Sequence, residues 1–319
     1  MLWIALGAAL ILLLILAFSY AAFRIAFYNP LPHREDIHAI PHGSQYRAVA
    51  DQITALVDAF DALPFQPVSA VSHDGLLLYA RYYPGGGQAL DIAFHGYRST
   101  GIRDFCGGAR IALDAGHDLL LIDERSHGQS GGTVITFGVR ERLDCLTWIE
   151  WAREHVPPEL PIFLDGVSMG AATVLMAADL PLPDQVAGIL ADCPYSSPAA
   201  IIRKVCGDLK LPAGPVMPFV RLGARLFGRF SLDGATAVSA VRQAKIPVLI
   251  IHGQEDRFVP HAMGQELFDA CASDDKAMLS VPGAGHALSY LAEPEQYRQA
   301  VTAFYDRALA QRKERTVQP

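Results

Sequence analysis

Short apolar runs alternate with helical patterns along most of this chain of 319 residues. The runs that are typical of strands cover residues 68–72, 76–83, 89–94, 119–122, 162–164, 186–191, 248–251 and 278–281. Apolar side chains at helical spacing occupy 48–63, 103–115, 139–155, 168–179 and 290–311. Strands that alternate with helices form a largely parallel sheet with helices on both faces. The pattern therefore predicts an α/β protein.

The first 28 residues are more apolar than the rest, since 25 of them are apolar side chains. Residues 2–23 carry no charge, and a helix of that length reaches about 33 Å, which exceeds a hydrocarbon core of roughly 30 Å. A cleaved signal peptide is the alternative, but its apolar core is usually shorter and follows a Lys or Arg. We expect an uncleaved transmembrane anchor at 1–28, a linker at 29–48 and a folded domain at 49–319.

The charges around the apolar run indicate its orientation. Arg24 and Arg34 follow the run, whereas only the amino terminus is positively charged before it. Lys and Arg concentrate on the cytoplasmic side of a membrane span, so this asymmetry favours a cytoplasmic domain. We therefore expect a single-pass membrane protein, with a periplasmic or extracellular domain as the alternative.

Composition excludes several classes of function. The formal net charge of −7 argues against a nucleic-acid partner, which usually attracts a basic excess. The five cysteines contain no Cys-x-x-Cys pair, which argues against a zinc site and a disulfide framework. We expect no metal, no organic cofactor and no nucleic acid.

The most specific motif is Gly166-Val167-Ser168-Met169-Gly170, which directly follows the strand pattern 162–164 and opens a helical stretch. In this context a sharp turn exposes the serine oxygen and leaves room only for glycine two residues to either side. The helix that begins there directs its free N–H groups at developing negative charge. Ser168 is the predicted nucleophile.

A serine hydroxyl needs a base that takes its proton and a third group that orients the base. Asp256 follows the strand pattern 248–251, and His286 follows 278–281. Open α/β sheets place their sites at the carboxyl ends of strands. We predict that His286 is the base and that Asp256 orients it.

Other residues compete for these roles. Glu255 adjoins Asp256, and Asp192 ends the preceding strand pattern, so each is an alternative orienting carboxylate. His95, His127 and His252 each lie in a loop, but their strands come in the wrong order for the base.

Acyl transfer also needs donors for the oxyanion. The residue after the nucleophile, Met169, supplies one backbone N–H. The second is expected after the strand pattern 89–94, where Gly96 lets the backbone turn close and Tyr97 supplies its N–H. The side chain of Tyr97 or of Arg98 is a candidate for the pocket wall.

Residues 123–131 read Asp-Glu-Arg-Ser-His-Gly-Gln-Ser-Gly, and 192–195 read Asp-Cys-Pro-Tyr. With the serine motif, these stretches resemble the α/β-hydrolase superfamily, in its serine aminopeptidase-like or monoacylglycerol-lipase-like branch. The resemblance covers about 68–310. It implies an α/β-hydrolase fold, with a mostly parallel eight-stranded sheet, helices on both faces and a short helical lid. It also implies that Asp123, Arg125 and His127 brace the loop beside the nucleophile.

One stretch, about 196–245, interrupts the alternation. Within it, residues 219–230 place Arg221, Arg225 and Arg229 on one face and apolar side chains on the other. We expect an amphipathic helix in a lid insertion above the active site. A lid that also contacts an anionic membrane surface is the alternative.

The motifs, the resemblance and the apolar leader together predict a membrane-anchored serine hydrolase. Its expected substrate is a lipophilic carboxylic ester or thioester, which forms an acyl-enzyme that water then hydrolyses. A serine aminopeptidase or amidase is one alternative. A non-catalytic binding scaffold at the membrane is another.

Overall fold

An eight-stranded sheet forms the centre of the protein in a computed structural model that describes residues 1–33, 35–41 and 43–317. Arg34, one of the two arginines on which the predicted orientation depends, lies outside the described residues. The strands are β1 Gln66–Val71, β2 Leu77–Tyr83, β3 Leu90–Phe94, β4 Asp118–Asp123, β5 Ile162–Val167, β6 Val186–Asp192, β7 Val248–Gly253 and β8 Lys276–Val281. Their spatial order is β1-β2-β4-β3-β5-β6-β7-β8. β2 pairs antiparallel with both neighbours, and all later pairs are parallel.

Helices cover both faces of this sheet, so the predicted α/β-hydrolase fold is confirmed. The helices are α1 Leu2–Ala26, α2 Ser44–Arg47, α3 Ala50–Asp61, α4 Gly101–Phe105, α5 Ala109–Asp114, α6 Glu141–His155, α7 Met169–Met176, α8 Pro198–Asp208, α9 Ala213–Leu226, α10 Ala237–Val241, α11 His261–Ala270, α12 Ser289–Ala292 and α13 Pro294–Val317. The predicted helix 103–115 is divided into α4 and α5. At the break, a Cβ on Gly107 would lie 2.3 Å from the Tyr290 ring.

The alternation of side chains along β5 shows how the sheet builds a core on each face. Leu164 points into a cluster that contains Trp148 of α6. Phe163 points to the opposite face, where it packs with Phe304 and Tyr305 of α13. Both faces of the central strands are therefore buried, which explains their continuous apolar sequence.

Helix α1 is, among the described residues, the helix that is long and apolar enough to cross a membrane. Its residues 2–18 are exposed or half-buried. From Ser19 onward one face packs on the domain, and Phe23 and Phe27 are buried. The apolar helix is thus continuous with the folded domain at its carboxyl end.

The amphipathic helix lies earlier than predicted, since α9 spans Ala213–Leu226 rather than 219–230. Its apolar face is covered by α1, where the ring of Phe219 lies 5.7 Å from that of Phe18. At the crossing a Cβ on Gly223 would lie 2.3 Å from the Ser19 carbonyl oxygen. The basic face is partly neutralised, because Arg221 pairs with Asp233 at 2.8 Å.

Residues 29–48, expected to be a linker, are packed onto the domain where the structure describes them. The Asn29 N–H donates to the Thr133 carbonyl at 2.9 Å, and the Asn29 side chain donates to the Ser126 carbonyl at 2.8 Å. At the other end, α2 places Tyr46 in a buried position. This segment is part of the domain surface rather than a free connection.

Candidate active site

Ser168 occupies a sharp turn between β5 and α7, with φ +57° and ψ −109°. Two glycines permit this turn because other backbone lies where a side chain would be. A Cβ on Gly170 would lie 1.8 Å from the Phe94 carbonyl oxygen, and one on Gly166 would lie 2.4 Å from the Gly170 backbone. Such backbone strain is characteristic of functional turns. The motif therefore has the strand–turn–helix geometry expected from the sequence.

The three residues predicted as a triad lie in hydrogen-bond contact. The distance between Ser168 Oγ and His286 Nε2 is 2.9 Å, and that between His286 Nδ1 and Asp256 Oδ2 is 2.7 Å. All three residues are buried. With Nδ1–H donating to the carboxylate, Nε2 is left to accept the serine proton.

The charge of Asp256 is stabilised inside the site. Burial by itself raises the pKa of this carboxyl, but the electrostatic interaction with His286 and His252 and the short hydrogen bond to His286 outweigh it. The resulting pKa is well below the ordinary value. The Asp256 carboxylate also accepts the N–H groups of Phe258 and Val259, each at 2.8 Å. It is therefore ionised and fixed in orientation.

The alternative residues have other positions. Glu255 is exposed at the cavity. Asp192 is buried, and the hydroxyl of Ser289 lies 3.4 Å from its Oδ1. His252 bonds the Val259 carbonyl at 2.9 Å, with its Nε2 3.5 Å from Asp256. The ring of His286 thus bonds Asp256 rather than either alternative carboxylate.

The loop after β3 lies directly beside the nucleophile. A Cβ on Gly96 would lie 3.4 Å from the Ser168 Cβ. The Gly96 N–H donates to Asp104 Oδ2 at 2.7 Å, so it is occupied. Within the described part of the chain, no acceptor is bonded to the N–H of Tyr97 or of Met169. Those two N–H groups are the ones predicted as oxyanion donors.

His127 and His95 hold this loop through hydrogen bonds to its backbone. The Arg98 N–H donates to His127 Nε2 at 3.0 Å, and His127 Nδ1 lies 3.0 Å from the Arg125 carbonyl. Burial and the neighbouring His95 lower the pKa of His127 well below its ordinary value, which keeps the ring neutral and Nε2 able to accept. His95 in turn bonds the Glu124 N–H and the Gly96 carbonyl.

The Arg125 guanidinium fixes the stretch that carries His127. It donates two hydrogen bonds of 2.6 Å to Asp144 of α6 and two more, of 2.9 and 3.1 Å, to Asp74. Paired arginine–carboxylate contacts of this kind fix geometry as well as charge. Asp123, the third residue expected to brace the loop, accepts the Gln129 N–H at 2.8 Å.

A cavity of about 1030 Å³ opens in front of Ser168 and His286. Its walls include 39–41, 43–46, 96–99 and part of the loop that carries Asp256. Of the described residues that line it, none belongs to the insertion 196–245. We expected the insertion to form a lid over the site, but its described residues do not line the cavity. Its amphipathic helix α9 packs against α1 instead.

Two side chains of this wall were not identified from the sequence. The Tyr46 hydroxyl donates to the His286 carbonyl at 2.9 Å. The Gln45 amide packs against Gly285, where a Cβ would lie 2.0 Å from its oxygen. No local pattern marks either residue, because the partners lie about 240 positions later in the chain.

One group of potential metal ligands occurs at the site, formed by Cys193, Asp256 and His286. Their ligand atoms lie within 4.8 Å of one another. Asp256 and His286 already bond each other, and burial raises the pKa of the Cys193 thiol well above its ordinary value. A neutral thiol is a poor metal ligand. These three side chains therefore fit a hydrogen-bonded Asp–His pair better than a metal site.

The sheet order and the turn at Ser168 are those of an α/β-hydrolase fold. A family model described as "Serine aminopeptidase, S33" matches residues 221–295. An esterase of Pyrococcus furiosus has a similar structure, with a TM-score of 0.64 at 21% identity over 88% of this chain and 98% of that chain. At 21% identity this structural similarity supports the fold and carries no information about function.

Proteins with similar sequences include lipases that act on monoacylglycerols, by their names. Mouse monoglyceride lipase is 26% identical over 263 residues, which cover 71% of this chain and 85% of the relative. Monoacylglycerol lipase of Mycolicibacterium smegmatis is 28% identical, covering 70% and 74%. The uncharacterized protein YqkD of Bacillus subtilis is 28% identical over 61% of this chain, and the match spans 64% of that relative's length. The chain thus has an α/β-hydrolase fold and is similar in sequence to monoglyceride lipases.

Proposed function

We propose that this protein is a membrane-anchored serine hydrolase that cleaves the carboxylic ester or thioester of a lipophilic acyl substrate. The observation that carries the proposal is the relay from Ser168 to His286 to Asp256, with distances of 2.9 and 2.7 Å. This arrangement activates a serine hydroxyl on many folds.

The proposed reaction proceeds in two steps. Ser168 Oγ attacks the acyl carbon as His286 Nε2 takes its proton, and the imidazolium then protonates the leaving alcohol or thiol. The N–H groups of Tyr97 and Met169 donate to the oxyanion of each tetrahedral intermediate. A water molecule deprotonated by His286 then hydrolyses the acyl-enzyme, which regenerates the serine.

The substrate class is inferred from the relatives and from α1. Monoglyceride lipases are named among the similar proteins, and 2–18 of α1 present an apolar surface. We propose that residues 1–28 form a single-pass anchor and that the domain is cytoplasmic. A bilayer would then supply lipophilic esters close to the cavity.

Labelling with a fluorophosphonate probe tests the nucleophile. We expect the full chain in detergent to be labelled and Ser168→Ala to remain unlabelled, with its melting temperature unchanged. Labelling that persists in Ser168→Ala would assign the nucleophile elsewhere. A wild-type chain that is never labelled would favour a binding scaffold.

A substrate panel then tests the bond that is cleaved. We expect monoacylglycerols and p-nitrophenyl esters to be hydrolysed much faster than aminoacyl anilides. Rapid anilide cleavage with negligible esterase activity would replace the ester proposal by an aminopeptidase, the activity named by the matching family model.

A further inference from the structure

The carboxyl end of α1 is bound by two side chains of the loop beside Ser168. The Tyr97 hydroxyl donates to the Ala26 carbonyl at 3.0 Å. The Arg98 guanidinium donates to the carbonyls of Ile25 and Tyr28 at 3.2 and 3.0 Å. The last carbonyls of a helix have no partner within the helix, and a cation is favourable beside them. Tyr97 and Arg98 therefore cap α1.

The backbone of the same two residues carries the proposed oxyanion donor. Arg98 has φ +49°, a conformation that costs energy for a residue with a side chain. The Arg98 N–H is held by His127, and the Gly96 N–H is held by Asp104. The free Tyr97 N–H thus lies between two fixed neighbours, in a backbone conformation that outside contacts must maintain.

The end of α1 is itself firmly seated, so that it can serve as a fixed point for this loop. Phe27 is fully buried, with its ring edge-on to Phe137 at 5.7 Å and to Phe230 at 5.2 Å. The Ile135 N–H donates to the Phe27 carbonyl at 2.8 Å. The Tyr97 ring stacks on Phe137 at 5.0 Å, so one aromatic cluster joins the loop to the helix.

We infer that the Arg98 guanidinium and the Tyr97 hydroxyl are positioning groups for the reaction. By bonding the Ile25 and Ala26 carbonyls in the last turn of α1 and the Tyr28 carbonyl just after it, they hold the strained turn that presents the Tyr97 N–H to the oxyanion. The apolar helix is then a structural part of the catalytic apparatus as well as an anchor. This inference rests on the proposed hydrolase function.

The test compares Arg98→Met with the full-length parent in detergent micelles, using a p-nitrophenyl ester. Methionine keeps the apolar stem but removes both bonds to α1. Loss of an oxyanion donor costs about 10²- to 10³-fold in rate, and its displacement costs less. We expect kcat to fall about 10- to 30-fold with KM unchanged within about twofold.

A second readout reports on the oxyanion itself. An alkyl boronic acid forms a tetrahedral adduct with the nucleophile, so its affinity is expected to fall in parallel with kcat. Arg98→Lys keeps one donor and is expected to recover part of both losses. Arg110→Met, which removes a surface arginine paired with Asp114, is the matched control and is expected to change neither.

Tyr97→Phe removes only the hydroxyl and keeps the stacked ring, so it tests the inference even if Arg98→Met fails to fold. A kcat loss of about three- to tenfold is expected. Unchanged kcat and boronate affinity in a folded Arg98→Met, or in Tyr97→Phe, would overturn the inference. A raised KM with normal kcat would also overturn it, by making Arg98 a substrate-binding group. Failure of the hydrolase proposal is distinguishable, because the parent itself would then lack esterase activity and probe labelling.

Discussion

The proposed triad and the cavity wall that faces it are held in place by different means. Ser168, Asp256 and His286 follow β5, β7 and β8 within a few residues, so the backbone hydrogen bonds of the sheet determine their spacing. The wall instead depends on side chains such as Tyr46 and Arg98, which bond carbonyl groups distant in sequence. The proposed catalytic residues thus lie at the ends of sheet strands, whereas the wall depends on how the described part of the first 48 residues packs on the domain.

The largest expected effect concerns the rigid half. Asp256→Asn removes the charge that fixes the His286 tautomer, and we expect kcat to fall about 10⁴-fold. Asp192→Asn is the matched control, because this carboxylate is also buried at a strand end but does not bond the ring. Ester hydrolysis by both variants measures the contrast. Equal losses in the two would show that the loss in Asp256→Asn does not come from the orientation of His286.

The seat of α1 is expected to give the next largest effect. Gly223→Ala would place a Cβ 2.3 Å from the Ser19 carbonyl oxygen, which forces α9 away from α1. We expect a loss of about 1–3 kcal/mol in unfolding free energy, together with lower kcat. Gly214→Ala, on the same helix with no atom near the new Cβ, is expected to be nearly neutral. Thermal melts in detergent would separate them, and equal melts would show that the crossing is not tight.

A smaller effect is expected at the wall beside the base. Tyr46→Phe removes the hydroxyl that donates to the His286 carbonyl, a bond that contributes about 1 kcal/mol. We expect kcat to fall about three- to tenfold with KM retained. Tyr82→Phe loses a comparable bond to Asp118 away from the site and is expected to retain full activity. If both variants behave alike, the Tyr46 contact does not position the base.

The last expected effect concerns how stability depends on pH rather than catalysis. Burial raises the pKa of Asp192 to about 6, although His252 opposes the shift. The folded state then binds the proton more tightly than the unfolded state. The free energy of unfolding therefore decreases as pH rises from about 4 to 6. We expect Asp192→Asn to lessen that loss by about 1–3 kcal/mol. Melting temperatures at pH 4.5 and 7 check the sign, and an identical pH dependence in both proteins would contradict it.

The sheet and its strand-end residues could be predicted because their signals are local. The apolar runs mark the strands, and Gly166 and Gly170 mark the turn around Ser168 within five residues. Tyr46 could not be found in this way, since its partner is 240 positions away. The amphipathic pattern of α9 required an apolar partner but did not specify α1 rather than the active site.

If α1 anchors the protein as proposed, its short exposed part determines where the reaction can take place. Residues 2–18 span about 25 Å, close to a hydrocarbon core of roughly 30 Å, and several described residues after them pack on the domain. In the anchored form no flexible linker would separate the described part of α1 from the domain, so the domain would lie against the lipid headgroups at a constant distance from the bilayer. Under the proposed function, substrate would then reach the cavity by diffusion within the leaflet, and the rate would depend on the surface density of the ester rather than on its concentration in water.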